Sequence, residues 1–113
     1  MHVDAVCPEL VLLHARYRVT CSAFITAYNP RGRRAAAPRN AQRQEALLAE
    51  LSRRKLVSIR GIGQHPTNKW PGEPSFLVLG ITRRAARALG RQFEQNAIVW
   101  AGPDAVPKLI LLR

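Results

Sequence analysis

Two segments of the chain are almost continuously apolar, the pattern of strands that are covered on both faces of a sheet. They run from Cys21 to Tyr28 and from Ser75 to Ile81. Leu56 to Ile62 alternates between apolar and polar residues, which is typical of an edge strand with one solvent-exposed face. Two shorter apolar runs, Asn96 to Trp100 and Lys108 to Leu112, predict two more strands.

Apolar residues at helical spacing predict two helices between these strands. The first begins at Arg39 or Asn40, with Asn40 as its expected N-cap. The second is capped by Thr82, and Gly90 inside it indicates close packing against a neighbouring element. The buried stripe of the second helix is expected to consist of Ala85, Ala86, Leu89 and Phe93. Its outer face carries Arg83, Arg84, Arg87 and Arg91, which form either a binding stripe or a solvated surface.

From Cys21 onward the predicted order is strand, helix, strand, strand, helix, strand, followed by an extra C-terminal strand. This order predicts an α+β fold, a ferredoxin-like βαββαβ sandwich with one additional strand. The right-handed crossover rule makes the two strands of each β-α-β unit parallel. The two continuously apolar strands are expected to form the central pair of the sheet, because they are apolar on both faces. Residues 1–20 are expected to form an N-terminal arm or strand, and residues 21–113 a single α+β domain.

The segment from Gly63 to Pro74 contains three prolines and two glycines and predicts a long loop without regular structure. In the predicted topology this loop lies at one edge of the sheet. The end of the first strand, the start of the first helix and the end of the second helix lie at the same edge. The polar residues expected at this edge are Tyr28, Asn29, Asn40, Gln64, His65, Trp70, Glu73, Ser75, Gln95 and Asn96. Their convergence predicts a ligand-binding or active site, although each also has a structural interpretation in turns or helix caps.

Glu73 and His65 are the candidate catalytic residues of this edge. Glu73 is either a general base or half of a salt bridge, and His65 is its natural partner in proton transfer. The sequence contains no Ser-His-Asp order, no glycine-rich phosphate loop and no close pair of carboxylates. Its two cysteines and three histidines make no zinc pattern, so we expect neither a metal nor a cofactor.

The charge of the chain favours a phosphate-rich partner. Its 113 residues include 18 Lys and Arg against 7 Asp and Glu, a formal net charge of +11. Arginine suits phosphate because its planar fork makes bidentate hydrogen bonds, but an arginine-rich and alanine-rich chain can also reflect the base composition of its genome. The arginines expected to bind nucleic acid or another anion are Arg31, Arg33, Arg34, Arg39 and Arg43. Tyr28 and Trp70 would stack on bases, and hydrogen bonds would come from Asn29, Gln95 and Asn96.

The chain carries no segment of the roughly 18 apolar residues that a membrane span requires, and its start lacks the basic residues of a secretory signal. We therefore expect a cytoplasmic protein without a membrane partner.

Three blocks of the sequence occur in order: Phe24 to Pro30, Trp70 to Gly80 and Phe93 to Trp100. Together they resemble the small bacterial domain-of-unknown-function family numbered 3293. The resemblance covers most of the chain from Phe24 onward and implies that the polar edge residues belong to the family pattern. It brings no established activity, substrate or cofactor, and the arginine cluster at positions 31–43 looks like a feature of this member.

Three functions remain open from the sequence. The favoured one is binding of nucleic acid or a ribonucleoprotein through the arginine-rich loop beside the polar cleft. The second is a small enzyme that acts on a nucleotide or similar metabolite with Glu73 and His65 as acid and base. The third is a protein-interaction module with no ligand in the cleft.

Overall fold

A computed structural model describes residues 4–27, 37–63 and 73–112 of the chain. Within these ranges the helices are α1 (Pro8–Tyr17), α2 (Ala37–Arg53) and α3 (Arg83–Gln92). The strands are β1 (Ser22–Ile25), β2 (Val57–Gly63), β3 (Glu73–Leu79), β4 (Ala97–Ala101) and β5 (Pro107–Leu111). The chain is therefore a mixed α+β protein.

The described strands form one antiparallel sheet in the order β2-β3-β1-β4-β5. The predicted central strands pair directly, with Ser22 opposite Leu79 and Ile25 opposite Phe76. This confirms their placement in the interior of the sheet, where both faces of a strand are covered. The edge position predicted for β2 is also confirmed.

Helices cover both faces of the sheet, so the core has two parts. On one face, α2 and α3 bury Leu47, Leu51 and Leu89 against the sheet residues Ile25 and Val78. On the other face, α1 buries Leu10 against Leu77 and Leu79. The alternation of side chains along a strand explains this division, because successive residues of β3 point to opposite faces.

The N-terminal segment is a helix, and the prediction of an arm or strand there is wrong. Pro8 occupies the start of α1, where a missing N–H costs nothing, and Glu9 in the first turn complements the helix dipole. The run Leu10 to Leu13 suggested a strand, but only Leu10 and His14, four residues apart on one helical face, are buried within α1. The helix ends at Arg18, which has a left-handed φ of 56°.

Two predicted boundaries are also wrong. Helix α2 begins at Ala37, so Asn40 is a buried residue inside the helix and not its N-cap. The loop predicted from Gly63 to Pro74 is shorter at both ends, because Gly63 pairs with Glu73 and Ile62 with Pro74. A proline near the beginning of a strand removes only one ladder hydrogen bond, which is why Pro74 does not end the pairing. The rest of that predicted loop, residues 64–72, lies outside the described residues.

Helix α3 follows the prediction closely. The Thr82 hydroxyl accepts a hydrogen bond from the Ala85 backbone N–H at 3.1 Å, which confirms Thr82 as the N-cap. A Cβ built on Gly90 would lie 2.6 Å from Leu112 Cδ1 and 2.8 Å from Ile98 Cγ2. The glycine therefore allows α3 to pack directly on β4 and the end of β5.

Candidate functional site

The polar edge of the sheet begins where β1 ends, and there α2 holds the backbone of Ala27. The Ala27 N–H donates to Gln44 Oε1 at 2.9 Å, and its carbonyl accepts from Arg43 Nε at 3.0 Å. Ala27 itself is fully buried. A buried backbone group without a hydrogen-bond partner costs free energy. Ala27 lies beyond the paired residues of β1, and Gln44 and Arg43 supply the partners for its N–H and carbonyl groups.

The Arg43 guanidinium also reaches the segment that links α3 to β4. Its Nη2 donates to the Phe93 carbonyl at 2.6 Å, and its Nη1 lies 3.5 Å from Glu94 Oε1. The Phe93 carbonyl accepts a second hydrogen bond, from Gln95 Nε2 at 3.2 Å. We call this set of contacts between Ala27, Arg43, Gln44 and residues 93–95 the edge clasp. It joins β1, α2 and the end of α3.

The edge clasp assigns internal roles to two residues that the sequence placed in a binding site. Arg43 was expected to bind an anion, but the donors named above are directed at backbone carbonyls and at Glu94. Gln95 was expected to bind a ligand, but it is buried and donates to Phe93. Of the other predicted residues near this edge, Asn40 is buried, whereas Arg39 and Asn96 are exposed.

Ser75 lies on the opposite face of the sheet from α2 and α3. It alternates with Leu77 and Leu79, which pack against α1. Its hydroxyl is buried and has no hydrogen-bond partner among the described residues. The structure therefore brings Arg43, Gln44 and Gln95 together and separates Ser75 from them.

Several predicted site residues lie outside the described residues. They are Tyr28, Asn29, Arg31, Arg33, Arg34, Gln64, His65 and Trp70. The backbone of Glu73 belongs to β3, but its side chain is not described. The acid-base pair proposed from the sequence thus stays a prediction.

A cluster of arginines without ion-pair partners among the described residues lies on the outer side of α3. Four arginines and Ala88 line a surface groove of about 460 Å³. We call them the α3 arginine face: Arg83, Arg84, Arg87 and Arg91. The sequence pattern predicts their position on the outer side of the helix, but they were not among the predicted site residues.

The electrostatics of the α3 arginine face are uncompensated within the described part of the chain. Helix α3 contains no acidic residue, and none of its four arginines makes an ion pair with another described residue. In contrast, Arg53 at the end of α2 and Arg54 directly after it both bind Glu50. Arg83 and Arg84 also stand in the first turn, where positive side chains oppose the helix dipole. A bound anion would relieve both the repulsion between neighbouring arginines and their repulsion by the helix dipole.

The spacing of these arginines is the signal that could have identified them from the sequence. Arg83, Arg87 and Arg91 follow one another every four residues, which is about 6 Å along a helix axis. Side chains at this spacing form one row on the same helical face. Such a row without interspersed acids differs from an ordinary solvated helix, in which charges of both signs alternate.

Among the described residues, no group of three or more His, Cys, Asp or Glu side chains is placed to hold a metal ion. None of the described helices is long and apolar enough to cross a membrane.

Residues 25–98 match the model of the family described as a protein of unknown function, DUF3293. The match covers more than half of the chain. The protein belongs to the DUF3293 family. Comparison with curated proteins and comparison with solved structures find no match to this chain. The resemblance inferred from the three sequence blocks is thereby confirmed, and family membership carries no activity with it.

Proposed function

We propose that this DUF3293 protein binds the phosphate backbone of nucleic acid through the α3 arginine face. The observation that carries the proposal is a cluster of four arginines that line one groove and have no acidic partner among the described residues. Arginine is the side chain best suited to such a contact, since its guanidinium stays charged and binds phosphate oxygens bidentately.

The position of α1 favours backbone contacts over base stacking on the sheet. Sheet-based readers of single-stranded RNA use an open sheet face with exposed aromatic residues. Here α1 packs over one face of the sheet, and α2 with α3 cover the other. Contacts from a helix surface to phosphates position a protein on nucleic acid without reading its sequence. We therefore expect binding with little sequence preference.

The proposal moves the main contact away from the arginines first expected from the sequence. Arg43 is part of the edge clasp, so removing its side chain would damage the fold before it changed a binding surface. Arg39 is exposed and would add charge beside the main site.

We also propose that residues 22–101 have the ferredoxin-like topology, which the strand order β2-β3-β1-β4 supports. A cytoplasmic location would give the protein access to nucleic acid.

The test compares two double variants with equal net charge. Arg83→Gln with Arg87→Gln removes two charges from the α3 arginine face. Arg16→Gln with Arg53→Gln removes two exposed charges from α1 and α2. Fluorescence anisotropy of labelled duplex and single-stranded DNA and RNA measures Kd at 100 mM salt.

We expect the α3 variant to lose at least tenfold in affinity, because each lost phosphate contact weakens binding strongly at this salt. The control variant should stay within about threefold of the parent, since it loses only long-range attraction that salt screens. Equal losses in both variants would mean that net charge alone attracts nucleic acid. Absence of binding by the parent would overturn the proposal.

A further inference from the structure

We propose that the protein forms a two-fold symmetric dimer in which β5 pairs antiparallel with β5 of a second copy. β5 is the last strand at one side of the described sheet. Its outer backbone groups, its exposed side chains and its charges all favour this pairing. The dimer itself does not depend on nucleic-acid binding; only its consequence for the α3 arginine face rests on the proposed function.

The backbone of β5 presents hydrogen-bonding groups at its outer edge. The Leu112 N–H donates to the Asn96 carbonyl at 2.8 Å, which shows that even-numbered residues here direct their backbone groups toward β4. Odd-numbered residues of an antiparallel strand then direct theirs outward. In agreement with this, the Pro107 carbonyl accepts from the Asp4 N–H at 2.7 Å, away from β4. Leu109 and Leu111 therefore offer their N–H and C=O groups to a neighbouring strand.

These outward groups are complementary to themselves. A two-fold axis through Ile110 places Leu109 opposite the partner's Leu111 and Leu111 opposite the partner's Leu109. Each such pair exchanges two N–H···O=C bonds in an antiparallel ladder, so this register forms four intermolecular hydrogen bonds. A symmetric dimer requires such a self-complementary surface.

The side chains of the same residues leave apolar surface exposed. Leu109 is 54% and Leu111 66% exposed, and both lie on the face of the sheet that α1 covers further inward. In the proposed register they become cross-strand neighbours of the partner's leucines, a pairing that stabilises sheets. Four leucines, two from each copy, would thus cover one another.

The charges on β5 are compatible with this pairing. Lys108 is its charged residue, and in the same register it faces the partner's Leu112, so no two like charges stand opposite each other. Exposed edge strands are commonly protected by charged side chains, especially lysine, by prolines or by bulges. β5 confines its proline and its lysine to its first two positions, Pro107 and Lys108. Its ladder with β4 is regular from Ala97 to Ala101.

The dimer has a direct consequence for the proposed nucleic-acid surface. A two-fold axis perpendicular to the sheet keeps both copies of α3 on one face. Helix α3 packs over β4 and β1, and a Cβ on Gly90 would meet Ile98 and Leu112. At least three strand spacings then separate the two α3 helices, about 14 Å or more. The two α3 arginine faces, with four arginines each, would form one basic surface, and their mutual repulsion makes the dimer stronger at high salt.

The contact is short, so the dimer is expected to be weak. A five-residue strand and its leucines cover much less than the roughly 800 Å² per partner of a standard stable interface. Sedimentation velocity at about 0.5 M salt can detect such a weak dimer. Protein concentrations from low micromolar to about 1 mM cover dimer Kd values in the same range. The parent should shift from monomer to dimer across this range, with a higher dimer fraction at 0.5 M than at about 0.1 M salt.

Three charge variants test the register itself. Leu109→Lys with Leu111→Lys places lysine opposite lysine and should be monomeric throughout. Leu109→Glu with Leu111→Glu should also be monomeric, but a mixture of the two variants should form a heterodimer. Leu109→Lys with Leu111→Glu is the matched control, because Lys then faces the partner's Glu and the dimer should persist. All positions are exposed on an edge strand, so the monomer fold tolerates these changes.

The outcomes separate this proposal from the proposed function. A parent that stays monomeric at about 1 mM overturns the dimer, as does a double-lysine variant that still dimerises. In either case nucleic-acid binding by the monomer can still be measured by anisotropy. Conversely, a dimer with the expected charge pattern that binds no nucleic acid would retain this inference and remove the proposed function.

Discussion

Arg43 and Phe93 are 50 residues apart in the chain and are joined by a 2.6 Å hydrogen bond from the guanidinium to the backbone carbonyl. The same guanidinium holds Ala27, so one side chain fastens α2 to the ends of both β1 and α3. Its side chain is only 18% exposed. A largely buried charge with three protein partners is a structural element. Its removal takes away the donor to the buried Ala27 carbonyl and leaves the Phe93 carbonyl with the weaker bond from Gln95.

Replacement of Arg43 by Met should therefore destabilise the protein by about 2 to 3 kcal/mol, because hydrogen bonds to a charged donor are lost inside the edge clasp. Urea unfolding followed by circular dichroism measures the change. Arg39→Met, at an exposed position one turn earlier on α2, is the control and should change stability by less than about 0.5 kcal/mol. Equal stabilities of the two variants would show that the clasp is not needed by the fold.

Gly90→Ala should destabilise the protein although alanine favours helix formation by about 1 kcal/mol. The added Cβ would meet Leu112 and Ile98 below 3.0 Å, and Ile98 Cγ2 belongs to a branched side chain that cannot move freely. Overpacking of this kind costs about 1 to 3 kcal/mol, so we expect a net loss of about 1 kcal/mol. The same urea experiment should show that Ala88→Gly, at an exposed position of α3, also loses about 1 kcal/mol. A gain in Gly90→Ala would contradict the packing described for α3.

Lys55→Gly should stabilise the protein by about 1 kcal/mol. Lys55 follows α2 with a left-handed φ of 58°, a conformation that costs a residue with a Cβ about 1 to 2 kcal/mol. It is part of a helix-ending motif in which Lys55 N–H donates to Ser52 and Leu56 N–H donates to Leu51. Lys55→Ala removes the same charge but keeps the Cβ, so its thermal midpoint should stay near that of the parent. Equal gains in both variants would assign the effect to charge.

His14 should make stability depend on pH. Its ring nitrogen Nε2 lies 2.8 Å from Ser22 Oγ, and this pair is buried between α1 and the sheet. Burial lowers the pKa of His14 below its usual value of about 6.5. The unfolded chain then binds a proton more readily than the folded one. Stability should be complete above the unfolded pKa and should fall as the pH drops below it toward the lowered folded pKa.

The comparison with His14→Gln isolates this group, because the other histidines of the chain are unchanged. Urea midpoints between pH 7.5 and pH 5.5 should fall less in the variant than in the parent. Parallel declines in the two proteins would show that His14 carries no part of the pH dependence.

The sequence predicted the sheet better than the site, for a physical reason. β1 and β3 are apolar on both faces, and Thr82 has the side chain that caps a helix, so local pattern and tertiary environment agree. The prediction for the α1 region is wrong because four apolar residues in succession do not distinguish a strand from a short helix. Pro8 and Glu9 were the informative residues there.

The roles of the polar residues could not be derived from pattern in the same way. Arg43 and Arg87 are both arginines on helices, but one is directed into the edge clasp and the other borders an open groove. The difference depends on carbonyls at residues distant in sequence, which only the assembled fold brings near. Ser75 was placed at the correct edge, but the alternation of β3 puts it on the α1 face.

The salt dependence of nucleic-acid binding tests the central claim most directly. The slope of log K against log salt counts the phosphates that a protein neutralises, at about 0.9 per contact on duplex DNA. The account predicts that Arg83→Gln with Arg87→Gln lowers the magnitude of this slope by about 2, while Arg16→Gln with Arg53→Gln leaves it unchanged. An unchanged slope in the α3 variant would contradict the assignment of the α3 arginine face as the nucleic-acid interface.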